Sequence, residues 1–274
     1  VHGDEYDGIR ACQDLAREID PKKLAGSIVV VPVANPFAFA AARRRTPEDD
    51  VDLNRVFPGR PDGTLSQRLA HRLLTGVLDR VDFVFSLHGA TEDGALTPWI
   101  EFLNEPGSVG PAAYAAALAS GFPDLVGLPL NLPGRLLTAL AERGIPVIEG
   151  EVGGRGQLQR QNVDYYKERV LAVAGHLGVL KTLRASPLVT PRIWALAANH
   201  VVAPVDGIFE REVELKQPLR AGDQVGRILD AAGVTAAELF APEDSVVAGY
   251  REHAGARTGD TLVTLWTRTA LRVG

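Results

Sequence analysis

Residues 64–89, TLSQRLAHRLLTGVLDRVDFVFSLHG, change periodicity halfway along. From a start near Thr64, Leu65, Leu69, Leu73, Val77 and Leu78 recur as an apolar stripe at helical spacing, which predicts a helix with one face on a core. Residues 81–87 then form an apolar, strand-like run, so His88 sits at a strand's end. His71 lies between Arg68 and Arg72 on the polar side of the helix and reads as solvated.

The alternation continues in both directions. Upstream, Ile9, Cys12, Leu15 and Ile19 predict a helix over 7–19, and residues 27–33 (SIVVVPV) predict a strand buried on both faces, ended by Asn35-Pro36. Downstream, residues 112–118 and 136–143 read as helices, 145–148 as a strand and 163–177 as an amphipathic helix. Strands alternating with helices predict an α/β domain over residues 1–190. After about residue 190 short strand-like runs predict a second, all-β unit, 191–274. It carries a weak repeat: Ala203-Pro204 precedes Ala221-Gly222-Asp223, and Ala241-Pro242 precedes Thr258-Gly259-Asp260. The halves are similar to those of a biotinyl or lipoyl carrier, but no lysine lies between Ile228 and Phe240. The unit therefore reads as an appendage that shapes an active-site mouth or an oligomer contact.

With 274 residues, 46% hydrophobic and 23% charged, the chain can bury at least one full core. Its net charge of -5 excludes a general attraction to polyphosphate, so no nucleic-acid partner is expected. A single cysteine, Cys12, excludes an intrachain disulfide and a multi-thiolate metal site, and fits a reducing, cytoplasmic setting. No apolar stretch is long enough to cross a membrane. The chain begins with Val1 and contains no methionine, which points to sequence upstream of it.

Chemistry concentrates in four places. His2 and Glu5 form an H-x-x-E pair able to converge an imidazole nitrogen and a carboxylate oxygen on one ion. His88, at a strand's end beside Gly89, is the best third ligand, and two histidines with one carboxylate leave a position open for water. Asn54 and Arg55, in Asp52-Leu53-Asn54-Arg55, form a planar fork suited to a substrate carboxylate. Glu151 precedes Val152-Gly153-Gly154 where the backbone turns tightly, a place for a general base; strand alternation puts Glu149 on the same face and does not choose between the two.

HGDE, DLNRVFPG, LHG and EVGG, in this order, resemble the signature blocks of the succinylglutamate desuccinylase and aspartoacylase family, relatives of the zinc carboxypeptidases. The blocks span residues 2–154, and the β-rich tail is similar to that of bacterial members. The resemblance implies a zinc-carboxypeptidase-like mixed sheet flanked by helices, with a small barrel-sandwich-like β domain behind it. It also implies one zinc ion held by His2, Glu5 and His88, with Glu151 as general base and Glu149 a bystander or supporting group. Asn54 and Arg55 would hold the substrate carboxylate and Arg45, with Arg43 and Arg44 competing, would polarise the scissile carbonyl. The implied reaction is removal of an acetyl- or succinyl-type group from an N-acyl amino acid, an N-acetyl diamino acid being the first guess. A carboxypeptidase-like peptidase and a non-catalytic protein with a relic metal site are the rivals. There are two departures: Ser86 stands where many members have aspartate, and the strand that normally leads into HGDE is absent.

Overall fold

A computed structural model describes residues 1–107, 109–181, 190–196 and 200–273. Six helices, α1 (Tyr6–Glu18), α2 (Pro36–Ala40), α3 (Leu65–Gly76), α4 (Gly110–Ser120), α5 (Leu136–Ala141) and α6 (Arg160–His176), accompany strands β1 (Val84–His88), β2 (Gly94–Leu96), β3 (Trp99–Leu103), β4 (Asp124–Leu128) and β5 (Val147–Glu151). The tail contributes β6 (Arg192–Leu196), β7 (Val201–Val202), β8 (Gly207–Arg211), β9 (Pro218–Leu219), β10 (Gln224–Leu229), β11 (Thr235–Phe240), β12 (Ser245–Arg251), β13 (Gly255–Ala256) and β14 (Thr261–Arg268). The mixed α/β class and the β-rich tail match the expectation.

One ten-stranded mixed sheet runs in the order β1-β5-β3-β4-β6-β14-β12-β2, with β7 on β14 and β9 on β12. β1 and β5 are parallel, β3 and β5 antiparallel, β3 and β4 parallel. Every residue of β3 and β4 is buried, as strands covered on both faces require. The sheet continues into the tail: β4 pairs in parallel with β6, and β12 pairs with β2. The expected division at residue 190 therefore lies where one sheet continues on either side. Trp266 of β14 is fully buried, in edge contact with Trp99 (centroids 5.3 Å apart) and stacked on Trp194 (5.6 Å), so aromatic packing locks the two parts together.

A separate antiparallel sheet, β11-β10-β8-β13, covers a second core that includes Phe209, Val225, Ile228 and Leu239. The repeat seen in the sequence becomes an exchange between halves. Ala203 donates to the Asp260 carbonyl (2.9 Å) and accepts from Gly259 (2.8 Å), while Ala241 donates to the Asp223 carbonyl (2.8 Å) and accepts from Gly222 (2.9 Å). Asp223 and Asp260 each take a hydrogen bond from the backbone N–H three residues before, at 2.7 and 2.9 Å.

Two expectations are corrected. Residues 27–33 form no strand; Val29 and Val31 are 60% and 38% exposed. β1 is the end strand of the sheet and the run meets no edge among the described residues, so its β-branched side chains have no ladder to join. In α3 the fully buried positions are Ser66, Ala70 and Leu74, one residue round from the predicted stripe, whose leucines are only half-buried. The helix starts where predicted, because Thr64 and Gln67 close a reciprocal cap.

Candidate active site

Three strands and two loops build the site. In the parallel register of β1 and β5, Ser86 faces Glu149 and His88 faces Glu151; antiparallel β3 sets Glu101 beside Glu149 and Trp99 beside Glu151. Side chains two apart on a strand share a face, so these residues line one surface at the ends of the strands. His2 and Glu5 reach it from the turn that enters α1. Gly3 lets that turn lie against α2: a Cβ there would stand 2.1 Å from the Ala38 carbonyl carbon. Tyr166 of α6 pins the far side, donating its hydroxyl to the carbonyls of His88 and Gly150.

His2, Glu5 and His88 are buried and converge. His2 Nδ1 lies 2.6 Å from Glu5 Oε1, His88 Nδ1 lies 3.1 Å from Glu5 Oε2, and the two Nδ1 atoms are 3.3 Å apart. Ligands of a tetrahedral zinc at about 2.0–2.1 Å stand roughly 3.3 Å from one another. The outer ring nitrogens are already engaged, His2 Nε2 by Asp52 Oδ1 at 3.0 Å and His88 Nε2 by Ser86 Oγ at 2.9 Å. In the tautomer that carries both ring protons on these outer nitrogens, the two Nδ1 lone pairs would face inward beside the Glu5 carboxylate, the donor set a divalent cation needs. Burial alone would raise the Glu5 carboxyl, but the imidazoles of His2 and His88 outweigh it and hold its pKa well below the usual range.

Arg44 reaches this cluster. Its Nε and Nη2 each lie 3.0 Å from Asp52 Oδ2, and its Nη1 lies 3.5 Å from Glu5 Oε1. Arg45 does not: its side chain is 56% exposed and turns to Asp50, through the backbone carbonyl at 3.2 Å and the carboxylate at 3.6 Å. Of the competing arginines, the structure thus brings Arg44, not Arg45, to the cluster. The short bridge between Thr46 and Val51 closes a hairpin-like turn that swings the next arginine outward. Asp52, whose importance the sequence did not disclose, ties the loop together, since its Oδ1 also accepts from the Asn54 backbone at 2.8 Å. Burial would raise its pKa, yet His2, Arg44 and Arg55 hold it well below the carboxylate range.

A cavity of about 320 Å³ opens beside His2 and His88 and is lined by Arg44, Arg55, Arg135 and Glu151. Asn54 lines it too, its Oδ1 held by the Leu136 backbone N–H at 2.7 Å, and Arg55 donates to the Asn54 carbonyl at 2.7 Å. Arg44 is paired with Asp52 and Glu5, and Arg135 with Glu101 and Glu149, so Arg55 is the guanidinium of this group without a carboxylate partner among the described residues. Glu151 is pushed well above the ordinary glutamate range by burial and by the neighbouring Glu101, Glu5 and Glu149, against the opposing pull of Arg44. The tail supplies the remaining wall, including His200, Tyr250 and Thr264. Sequence reading missed these residues, and Arg135 with them, because they come from segments far from the four motifs.

Residues 1–177 match the succinylglutamate desuccinylase/aspartoacylase catalytic domain. The chain is 28% identical over 271 residues to the N-alpha-acetyl-L-2,4-diaminobutyric acid deacetylase of Halomonas elongata, covering 96% of this chain and 79% of that protein. Among solved structures, the product-bound ectoine utilization protein EutE (DoeB) from Ruegeria pomeroyi superposes with a TM-score of 0.89 at 28% identity, covering 97% of this chain and 82% of that one. A succinylglutamate desuccinylase/aspartoacylase from Rhodobacter sphaeroides gives 0.88 at 29% identity, covering 98% and 83%. With more than half its length matched by the catalytic domain and the same fold throughout, the chain belongs to the succinylglutamate desuccinylase/aspartoacylase family.

Proposed function

We propose that this protein is a zinc-dependent deacylase that hydrolyses the amide of an N-acyl amino acid, with an N-acetyl diamino acid such as N-acetyl-2,4-diaminobutyrate as lead substrate. The observation that carries the reading is the convergence of the inward Nδ1 atoms of His2 and His88 on the Glu5 carboxylate, next to a cavity that also holds Arg44, Arg55 and Glu151. The relative from Halomonas elongata and the ectoine utilization protein support the choice of substrate.

A zinc ion held by His2, Glu5 and His88 would supply Lewis acidity and lower the pKa of water at the site towards ~7. The substrate carboxylate docks on Arg55, whose guanidinium is unspent, with Asn54 beside it. Arg44, which lines the cavity beside His2 and His88, stabilises the negative charge that develops on the amide oxygen. Glu151 takes the proton of the attacking water at its carboxylate and returns it to the leaving nitrogen, so the products are the free carboxylic acid and the amine. Its raised pKa makes the carboxylate a stronger base towards the attacking water, while the carboxylic acid so formed is still far more acidic than the leaving amine's conjugate acid and can protonate it.

The test is release of free amine from N-acetyl-2,4-diaminobutyrate, N-acetyl amino acids lacking the second amine, N-succinyl amino acids and short peptides. Turnover of acyl amino acids, lost by about 10²–10⁴-fold in Glu151→Gln with zinc retained, is the expected result. Turnover of peptides alone, or none with zinc bound, contradicts it.

A further inference from the structure

His88 faces two ways. Its Nδ1 points at Glu5 and His2, so with that nitrogen committed to a cation the ring's proton resides on Nε2. Two oxygens stand near Nε2: Ser86 Oγ at 2.9 Å and Glu149 Oε1 at 3.9 Å. Glu149 is wholly buried; its Oε2 accepts from Arg135 at 2.8 Å, while its Oε1 has no hydrogen-bond partner. Arg135 is shared with Glu101, so one guanidinium serves two buried carboxylates. A buried carboxylate oxygen without a donor is costly. His88 Nε2 stands 3.9 Å from it, and metal coordination at Nδ1 would make its N–H a stronger donor.

The other histidine shows the finished form of the arrangement, with a carboxylate, Asp52, directly on His2 Nε2 at 3.0 Å. On His88 a neutral hydroxyl occupies that position and the carboxylate stands one step back, from the adjacent strand. The register of β1 and β5 fixes this, since Ser86 and Glu149 are cross-strand partners. Closing 3.9 Å to the ~2.8 Å of a charge-assisted bond takes about an ångström of side-chain rotation.

We infer that Glu149 is a positioning residue for the metal: its Oε1 shares the Nε2–H of His88 with the Ser86 hydroxyl and holds the imidazole in the orientation and tautomer that binds zinc, while Arg135 anchors Oε2. This rests on the reading of His2, Glu5 and His88 as a zinc centre. It gives Glu149 a duty distinct from that of Glu151, two residues along the same strand face, which works on the substrate.

Zinc affinity, measured by competition with a chromophoric chelator on the folded protein, tests it. The parent should bind about one zinc, Glu149→Gln about 10–100-fold more weakly, and the double variant Glu149→Gln with Ser86→Asp should recover most of the loss, because it returns a carboxylate to His88 without restoring the charge facing Arg135. Unchanged affinity in Glu149→Gln overturns the inference, as does a loss that Ser86→Asp leaves unrepaired, which would mean that Glu149 serves only to hold Arg135. Should Glu149→Gln fail to fold, ring 15N NMR of the zinc-loaded Ser86→Ala variant decides. A strongly deshielded His88 Nε2–H proton that persists without the hydroxyl supports a carboxylate acceptor, and its loss overturns one. A parent that binds no zinc fails the metal reading itself, an outcome distinct from a zinc-binding parent with an indifferent Glu149→Gln.

Discussion

Arg44 and Arg45 are adjacent in the chain and face opposite ways, one onto Asp52 and Glu5 and the other onto Asp50 at the surface. Arg44→Ala should lower kcat by about 10²–10³-fold, the cost of removing one donor to a developing oxyanion, and Arg45→Ala should change it by less than about twofold, as a solvated ion pair implies; steady-state kinetics with both variants checks the pair. The sequence left three consecutive arginines in competition because no periodicity operates in an irregular loop, so which one faces inward is decided by the Thr46–Val51 bridge and the Asp52 carboxylate. His2, Glu5, His88 and Glu151, by contrast, were legible, since each lies at a strand end or in a turn whose neighbouring glycine admits a close approach: at Gly89 a Cβ would stand 2.6 Å from the Val152 carbonyl oxygen. Glu151 also gives a pH prediction. Its protonated form cannot accept the water's proton, and burial with Glu101, Glu5 and Glu149 raises its pKa, so kcat/KM should rise with pH through a value above the usual glutamate range. Glu101→Gln removes one of those negative charges, lowers the pKa of Glu151 and moves the acid limb to lower pH. A limb that stays in place or moves upward speaks against Glu151 as the titrating base.

Among the elements, α1, α4, α6 and β1 could be anticipated from apolar spacing because each buries one face, and β5 from an apolar run that is buried on both faces. The run 27–33 misled for a physical reason: β-branched residues favour a strand only where a neighbouring edge offers hydrogen bonds, and edge availability is a property of the sheet, not of the segment. The pairing of β4 with β6 was equally hidden, since nothing local in residues 192–196 names a partner almost seventy residues earlier. Its consequence is that tail and catalytic sheet share the Trp99–Trp266–Trp194 stack. Trp266→Ala should destabilise by about 3–5 kcal/mol, the cost of emptying a fully buried aromatic site, and chemical denaturation should show it as one lowered transition for the whole chain. A loss confined to a separate, early transition of the tail would mean that the two parts fold independently.

Over the whole molecule, the tail is part of the site, because His200, Tyr250 and Thr264 wall the same cavity as His2 and His88. The sequence pointed to an appendage at the active-site mouth or at an oligomer contact, and the continuous sheet explains how strands so distant in the chain can be held beside the cavity. Among the described residues no helix is long and apolar enough to cross a membrane. The proposed function turns on a cation at the junction of His2, Glu5 and His88, and the most direct measurement is zinc per chain by elemental analysis after dialysis against metal-free buffer, on the protein and on its His88→Ala variant. About one zinc in the former and little in the latter is the predicted result for a site with three protein ligands. Equal zinc in both, or none in either, would contradict it.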